Sequence, residues 1–116
     1  MTHANILTGA NRYTHELVAW RAEWIETARP EQLPPNGDWL IWAAICGRGW
    51  GKTRVGAMTA LHWALMNPKS RVAVIAPTQN DCRSVCFEGE SGILNNTPAF
   101  FRRKNDYSSQ SLEFEL

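Results

Sequence analysis

An α/β fold, with a parallel sheet and flanking helices, is what this sequence predicts, on three observations. Trp39–Cys46 is an unbroken apolar run, the pattern of a strand buried on both faces. Arg71-Val-Ala-Val-Ile-Ala76 is a second such run, rich in β-branched residues. Between them, Lys52 to Met66 places Val55, Met58, His62, Leu65 and Met66 at three- and four-residue steps, a helical period. Strand, helix, strand at this spacing reads as a right-handed βαβ unit, which implies a parallel sheet.

Residues 1–12 are polar and read as a loose arm. From Tyr13 to Ala28, the residues Leu17, Trp20, Trp24, Ile25 and Ala28 recur at helical steps and predict an amphipathic helix. Arg29-Pro30 ends it, because a residue before proline disfavours the helical region. A proline-rich connection follows to Asp38, so residues 1–38 (arm, helix, connection) precede an α/β domain at 39–116. Asn67-Pro68 stops the central helix. Thr78 or Asn80 is placed to cap a helix from about Asp81 to Glu88. Gly89 to Phe101 reads as loop. Strand, turn and strand then follow in Asn105-Asp-Tyr107, Ser108–Ser111 and Leu112–Leu116, a C-terminal β-hairpin.

Composition narrows the class. A chain of 116 residues with 44% hydrophobic and 20% charged residues is an ordinary globular domain. A net charge of +1 gives no global attraction to a polyanion, so any nucleic-acid contact has to be local. The dense basic cluster is Arg102-Arg103-Lys104, which reads either as a solvated turn or as a phosphate contact. The three cysteines, Cys46, Cys82 and Cys86, form no zinc spacing; Cys82 and Cys86, four apart on one helix face, read as buried thiols, and a reducing, cytosolic setting fits. No apolar run approaches the roughly 20 residues of a membrane span, so a soluble intracellular protein is expected.

The chemistry concentrates between the first strand and the helix. Gly47, Gly49 and Gly51 are followed by Lys52 and Thr53, the order of a P-loop. Glycines let the backbone curl and approach phosphate oxygens, and the following helix turns its positive end to the same place. Lys52 is then the residue for the β- and γ-phosphates of a nucleotide, and the Thr53 hydroxyl the residue for Mg²⁺. The phosphate-binding set is Cys46, Gly47, Arg48, Gly49, Trp50, Gly51, Lys52, Thr53 and Arg54. Cys46 stands where the full pattern has glycine. Arg48 is placed to act as an arginine finger in cis over the γ-phosphate, or else Arg48 and Arg54 are solvated charges beside an anion site.

With these residues in view, ARPEQLPPNGDWLIWAAICGRGWGKTRVGA and RVAVIAPTQNDCRSVCFEGESGIL resemble the start of a large terminase subunit. That family contains the DNA-packaging motors of tailed bacteriophages. The resemblance runs from about Arg29 to Leu116. It is carried by the G-R-G-x-G-K-T-R loop, the A-P-T triplet and the E-G-E-S-G-I-L block. It implies a P-loop NTPase fold, here incomplete, with ATP and Mg²⁺ as cofactors and Arg48 and Lys52 as catalytic residues. Cys46 agrees with the family's tolerance at that position. Gln32, upstream of the loop, matches the glutamine that related translocases use to read the adenine edge, or is simply solvated. Implied partners are double-stranded DNA, a small terminase subunit, a portal protein and further copies in a ring, all in the bacterial host cytoplasm.

Hydrolysis needs more than a phosphate cradle. A carboxylate for Mg²⁺ and a residue that positions water belong at the end of a second apolar strand. The second run here ends in Ala76-Pro-Thr78, and Glu88, Glu90, Glu113 and Glu115 do not follow a buried run. The chain therefore reads as the nucleotide-binding front of a packaging ATPase, without its catalytic carboxylates or nuclease domain. Two other readings fit the same motifs: a fragment of a helicase-type translocase, and a non-catalytic module that holds nucleotide or nucleic acid.

Overall fold

The computed structural model describes residues 3–47, 49–67 and 69–116, with side chains from His15 onward. They form two compact units, Met1–Leu33 and Pro34–Leu116.

The first unit is dominated by helix α1 (His3–Thr27), which begins ten residues before Tyr13, where the helix was expected. The expected arm is therefore helical from His3. The pattern that explains it is in the sequence: Ile6, Ala10, Tyr13, Leu17, Trp20 and Trp24 continue one apolar stripe at alternating four- and three-residue steps. At its end the Thr27 hydroxyl donates to the Glu23 carbonyl at 2.8 Å. Arg29 is extended (φ −73°, ψ 151°) ahead of Pro30, as a residue before proline should be. A single 3₁₀ turn, Pro30–Gln32, follows.

The second unit is built on α2 (Lys52–Met66). It buries Val55, Ala57, Met58 and Leu61, so its inner face is centred on Leu61 and not on the Leu65–Met66 end, where Met66 stays 45% exposed. His62 is half-buried, with Nδ1 2.7 Å from the Met58 carbonyl. At the end of α2 the Asn67 side-chain amide donates to the Trp63 carbonyl at 2.9 Å.

Thr78 caps the next helix, its hydroxyl oxygen accepting from the Asp81 N–H at 3.0 Å. One turn, α3 (Gln79–Asp81), runs into a π-helical segment, Cys82–Phe87, where an α-helix to Glu88 was expected. The wider coil is locked at its end by the Glu88 N–H donating five residues back to the Arg83 carbonyl at 2.9 Å. Gly89 and Gly92 then fold directly against it. A Cβ at Gly89 would lie 2.8 Å from the Ser84 and Val85 carbonyl oxygens, and one at Gly92 would lie 2.8 Å from that of Phe87. This close approach brings α4 (Ile93–Asn96) back onto α2 and buries Ile93. The stretch expected to be loop therefore contains α4 and a 3₁₀ turn at Ala99–Phe101.

The chain ends in a hairpin of β1 (Tyr107–Ser108) and β2 (Glu113–Phe114), antiparallel, with Tyr107 opposite Phe114. It is the only paired sheet among the described residues.

The parallel sheet and the incomplete P-loop NTPase fold expected from the sequence are therefore not formed. Residues 39–47 and 71–76 belong to no helix or sheet, and neither apolar run is buried. Leu40 is 99% exposed, Ile45 97% and Ile75 89%. The physical reason is direct: an apolar strand is stable when both ladder edges are paired and both faces covered, and α2 can cover only one face. Trp39 stays partly sheltered by local contacts, with Nε1–H donating to the Pro35 carbonyl at 2.7 Å and its ring edge-on to Trp42 at 6.2 Å.

Candidate functional site

Residues 46–54 join the first apolar run to α2. Gly49 and Gly51 both lie in the left-handed region, at φ 83° and 91°, where a side chain would be strained. Gly51 is the residue that caps α2, and having no side chain it leaves the first-turn N–H groups without a side-chain cap. The first backbone bond closing the helix runs from the Val55 N–H to the Gly51 carbonyl at 3.0 Å. The helix therefore begins abruptly, with its donor groups and positive dipole end at the loop.

Lys52 turns back over this loop. Its Nζ donates to the Cys46 carbonyl at 3.3 Å, so the ammonium spans the loop from its exit to its entry. Cys46 is half-buried, with its thiol directed at the Ala44 carbonyl at 3.8 Å. Gly47, Gly49, Gly51, Lys52, Thr53 and Arg54 are exposed, and Trp50 is half-buried. Arg48 lies outside the described residues. Behind the loop a cleft of about 600 Å³ is lined by Trp42, Trp50, Lys52, Thr53, Trp63 and Ile75, among others, and no carboxylate among the described residues lines it. Among the described residues no group of three or more His, Cys, Asp or Glu side chains could hold a metal ion.

Gln32 stands apart from these residues in sequence, in the first unit, where it has a local task. Its side-chain oxygen accepts from the Arg29 N–H at 2.8 Å and closes the turn that ends α1.

Of the basic cluster, Arg102 is committed to structure. Its guanidinium pairs with the buried Asp106, and lies 5.4 Å from the centre of the Phe114 ring. Arg103 and Lys104 are exposed. Sequence reading also missed the roles of Gly89 and Gly92 within E-G-E-S-G-I-L. Their spacing after a helical segment was the available signal, since two glycines three apart allow a chain to press on a helix end.

These features define a helical domain in which a glycine-rich loop leads into a helix whose first residue is Lys52. The chain belongs to the terminase large-subunit family: the family described as terminase large subunit, T4likevirus-type, N-terminal, matches residues 44–109. The match takes in the loop from Ala44 and the block through Gly92. Its role is thus that of a phage DNA-packaging terminase. No curated protein and no solved structure matches the chain. No described helix is long and apolar enough to cross a membrane.

Proposed function

We propose that residues 46–54 bind the phosphates of ATP, and that this chain is the nucleotide-binding front of a motor that drives double-stranded DNA into a procapsid. The observation that carries the proposal is the placement of Lys52, whose ammonium bridges back to the Cys46 carbonyl across a loop turned by Gly49 and Gly51. A phosphate entering the loop competes with one neutral carbonyl for that ammonium and meets the positive end of α2. Lys52 then holds the β- and γ-phosphates. The Thr53 hydroxyl, one residue on and exposed, is an oxygen donor of the kind Mg²⁺ takes, and the ion supplies charge neutralisation between phosphates. Arg48 completes the cationic set by its place in the loop, and Arg54 flanks it. The small terminase subunit, the portal protein and a ring of copies are the partners this reading carries with it.

The test is equilibrium binding of a fluorescent ATP analogue with Mg²⁺ to the purified chain. Saturable binding that drops at least tenfold in Lys52→Ala, with an unchanged circular dichroism spectrum, supports the reading. Equal affinity in the wild type and Lys52→Ala sinks it.

A further inference from the structure

At the far end of α2 from the loop, a second cleft of about 770 Å³ is lined by Lys69, Arg71, Arg103, Glu113, Glu115 and Leu61, among others. Lys69 and Arg71 come from the exit of α2, and Arg103 from the entry to the hairpin, 32 or more residues later. All three cations are exposed and none is in an ion pair among the described residues. Arg102, next to Arg103, is different: Asp106 takes up its charge, and the same carboxylate accepts the Arg103 backbone N–H at 2.9 Å. Asp106 thus fixes the backbone of Arg103 while leaving its guanidinium to the cleft.

We propose that Lys69, Arg71 and Arg103 form a contact site for the phosphodiester backbone of duplex DNA. The assignment rests on the DNA-packaging reading but not on nucleotide binding at the loop. Leu61, Phe87 and Ile93 on the floor of this cleft are buried within the domain, Val72 and Leu116 on its rim are exposed, and the three cations stand free above them. Phosphates need only exposed cations at separated points, which Lys69, Arg71 and Arg103 provide from two separate segments of the chain. Glu113 and Glu115 line the same cleft and oppose a polyanion, so the site is weak and non-specific, as suits DNA that must slide past it.

The experiment is anisotropy of a labelled 20-base-pair duplex of arbitrary sequence, titrated with the intact chain at several salt concentrations and without nucleotide. Three phosphate contacts give a log–log salt slope of about −2.7, or a loss of about 40-fold in affinity between 50 and 200 mM salt. In K69A/R71A/R103A, whose side chains are exposed, the slope is expected to collapse with no change in melting temperature. Glu113→Gln with Glu115→Gln is expected to tighten binding severalfold. Lys52→Ala separates the two sites, abolishing nucleotide binding while leaving the DNA affinity unchanged. DNA affinity that is the same in the triple variant overturns the assignment. So does competition by a polyglutamate peptide equal to that by a duplex of the same charge, which would mark a docking surface for acidic protein.

Discussion

Arg102 and Asp106 clamp the entry to the C-terminal hairpin through two parallel bonds. Arg102 Nε donates to Asp106 Oδ2 at 2.8 Å and Nη2 to Oδ1 at 3.1 Å. The carboxylate is only 3% exposed, whereas the arginine side chain is 38% exposed. The Glu115 N–H also donates to the Asp106 carbonyl at 2.8 Å, so the pair ties both ends of the hairpin together.

Asp106→Asn is therefore expected to destabilise the second unit by about 1–3 kcal/mol, the scale of a charge-assisted bond rather than a fully buried ion pair, since water still reaches Arg102. The Arg102 guanidinium, and after it the Arg103 N–H, hold the Asp106 carboxyl below its ordinary range. A carboxyl depressed by folding stabilises above its unfolded pKa, near 4, and that contribution disappears as pH falls towards the folded value. Urea denaturation of wild type and Asp106→Asn from pH 7 to pH 2.5 checks this. The stability gap should be constant at neutral pH and narrow as pH falls below about 4; a gap unchanged all the way down to pH 2.5 would rule the ion pair out as its source.

Tyr107 should titrate far above an ordinary phenol. Burial first, and then its hydroxyl bond to Glu88 Oε2 at 2.8 Å, push it up to about 12. Folding thus favours the neutral phenol, and this stabilisation, complete below the unfolded value near 10, is lost as pH rises towards 12. With Tyr13→Phe removing the other tyrosine of the chain, absorbance at 295 nm reports Tyr107 alone. Glu88→Gln should lower its midpoint but not return it to 10, because burial is the larger cause. A wild-type midpoint near 10 would contradict the packing of Tyr107 on Phe87, whose ring centres are 5.6 Å apart.

Gly92→Ala is expected to cost about 1–3 kcal/mol, the scale of overpacking. The new methyl would lie 2.8 and 2.9 Å from the carbonyl oxygens of Phe87 and Cys86, and these are backbone atoms that cannot swing aside. Thermal melts read the loss. Gly47→Ala is the contrasting variant, since a Cβ there meets nothing within 4 Å and φ is not positive. Equal melting temperatures for Gly92→Ala and wild type would mean that the π-helical segment yields.

What the sequence disclosed depended on whether the cause was local. The bounds of α2, the Thr78 cap and the hairpin turn follow from neighbours a few residues apart, and those features are present. In the loop, Gly49 and Gly51 take the left-handed backbone that glycine permits, again a local cause. Non-local causes were not legible. The run Trp39–Cys46 has the composition of a buried strand, but composition does not provide the neighbouring strands it needs. Arg102-Arg103-Lys104 looked like one cluster, and only the fold, by burying Asp106, separates Arg102 from the other two.

The isolated chain is expected to bind nucleotide without turning it over. Phosphoryl transfer needs a carboxylate on Mg²⁺ and a group that orients water. Among the described residues no carboxylate lines the cleft beside Lys52 and Thr53, and Glu88, at the end of the π-helical segment, is bonded to Tyr107. Phosphate release by the purified chain should therefore equal that of Lys52→Ala. Turnover of even a few per minute, lost in Lys52→Ala, would show that the catalytic groups are present.

The exposed apolar runs give the last prediction. Leu40, Ile41 and Ile45 on one stretch and Ile75 on the other present apolar side chains to water beside backbone that no ladder pairs. Such edges invite pairing with other copies, and a net charge of +1 provides little repulsion to prevent it. Leu40→Lys with Ile75→Lys should therefore raise the concentration at which the chain remains monomeric, while the melting temperature moves little, because neither side chain is buried. Light scattering across a concentration series, alongside thermal melts, measures both. A large fall in melting temperature would show that these side chains are packed in solution, and that the two apolar runs are covered there.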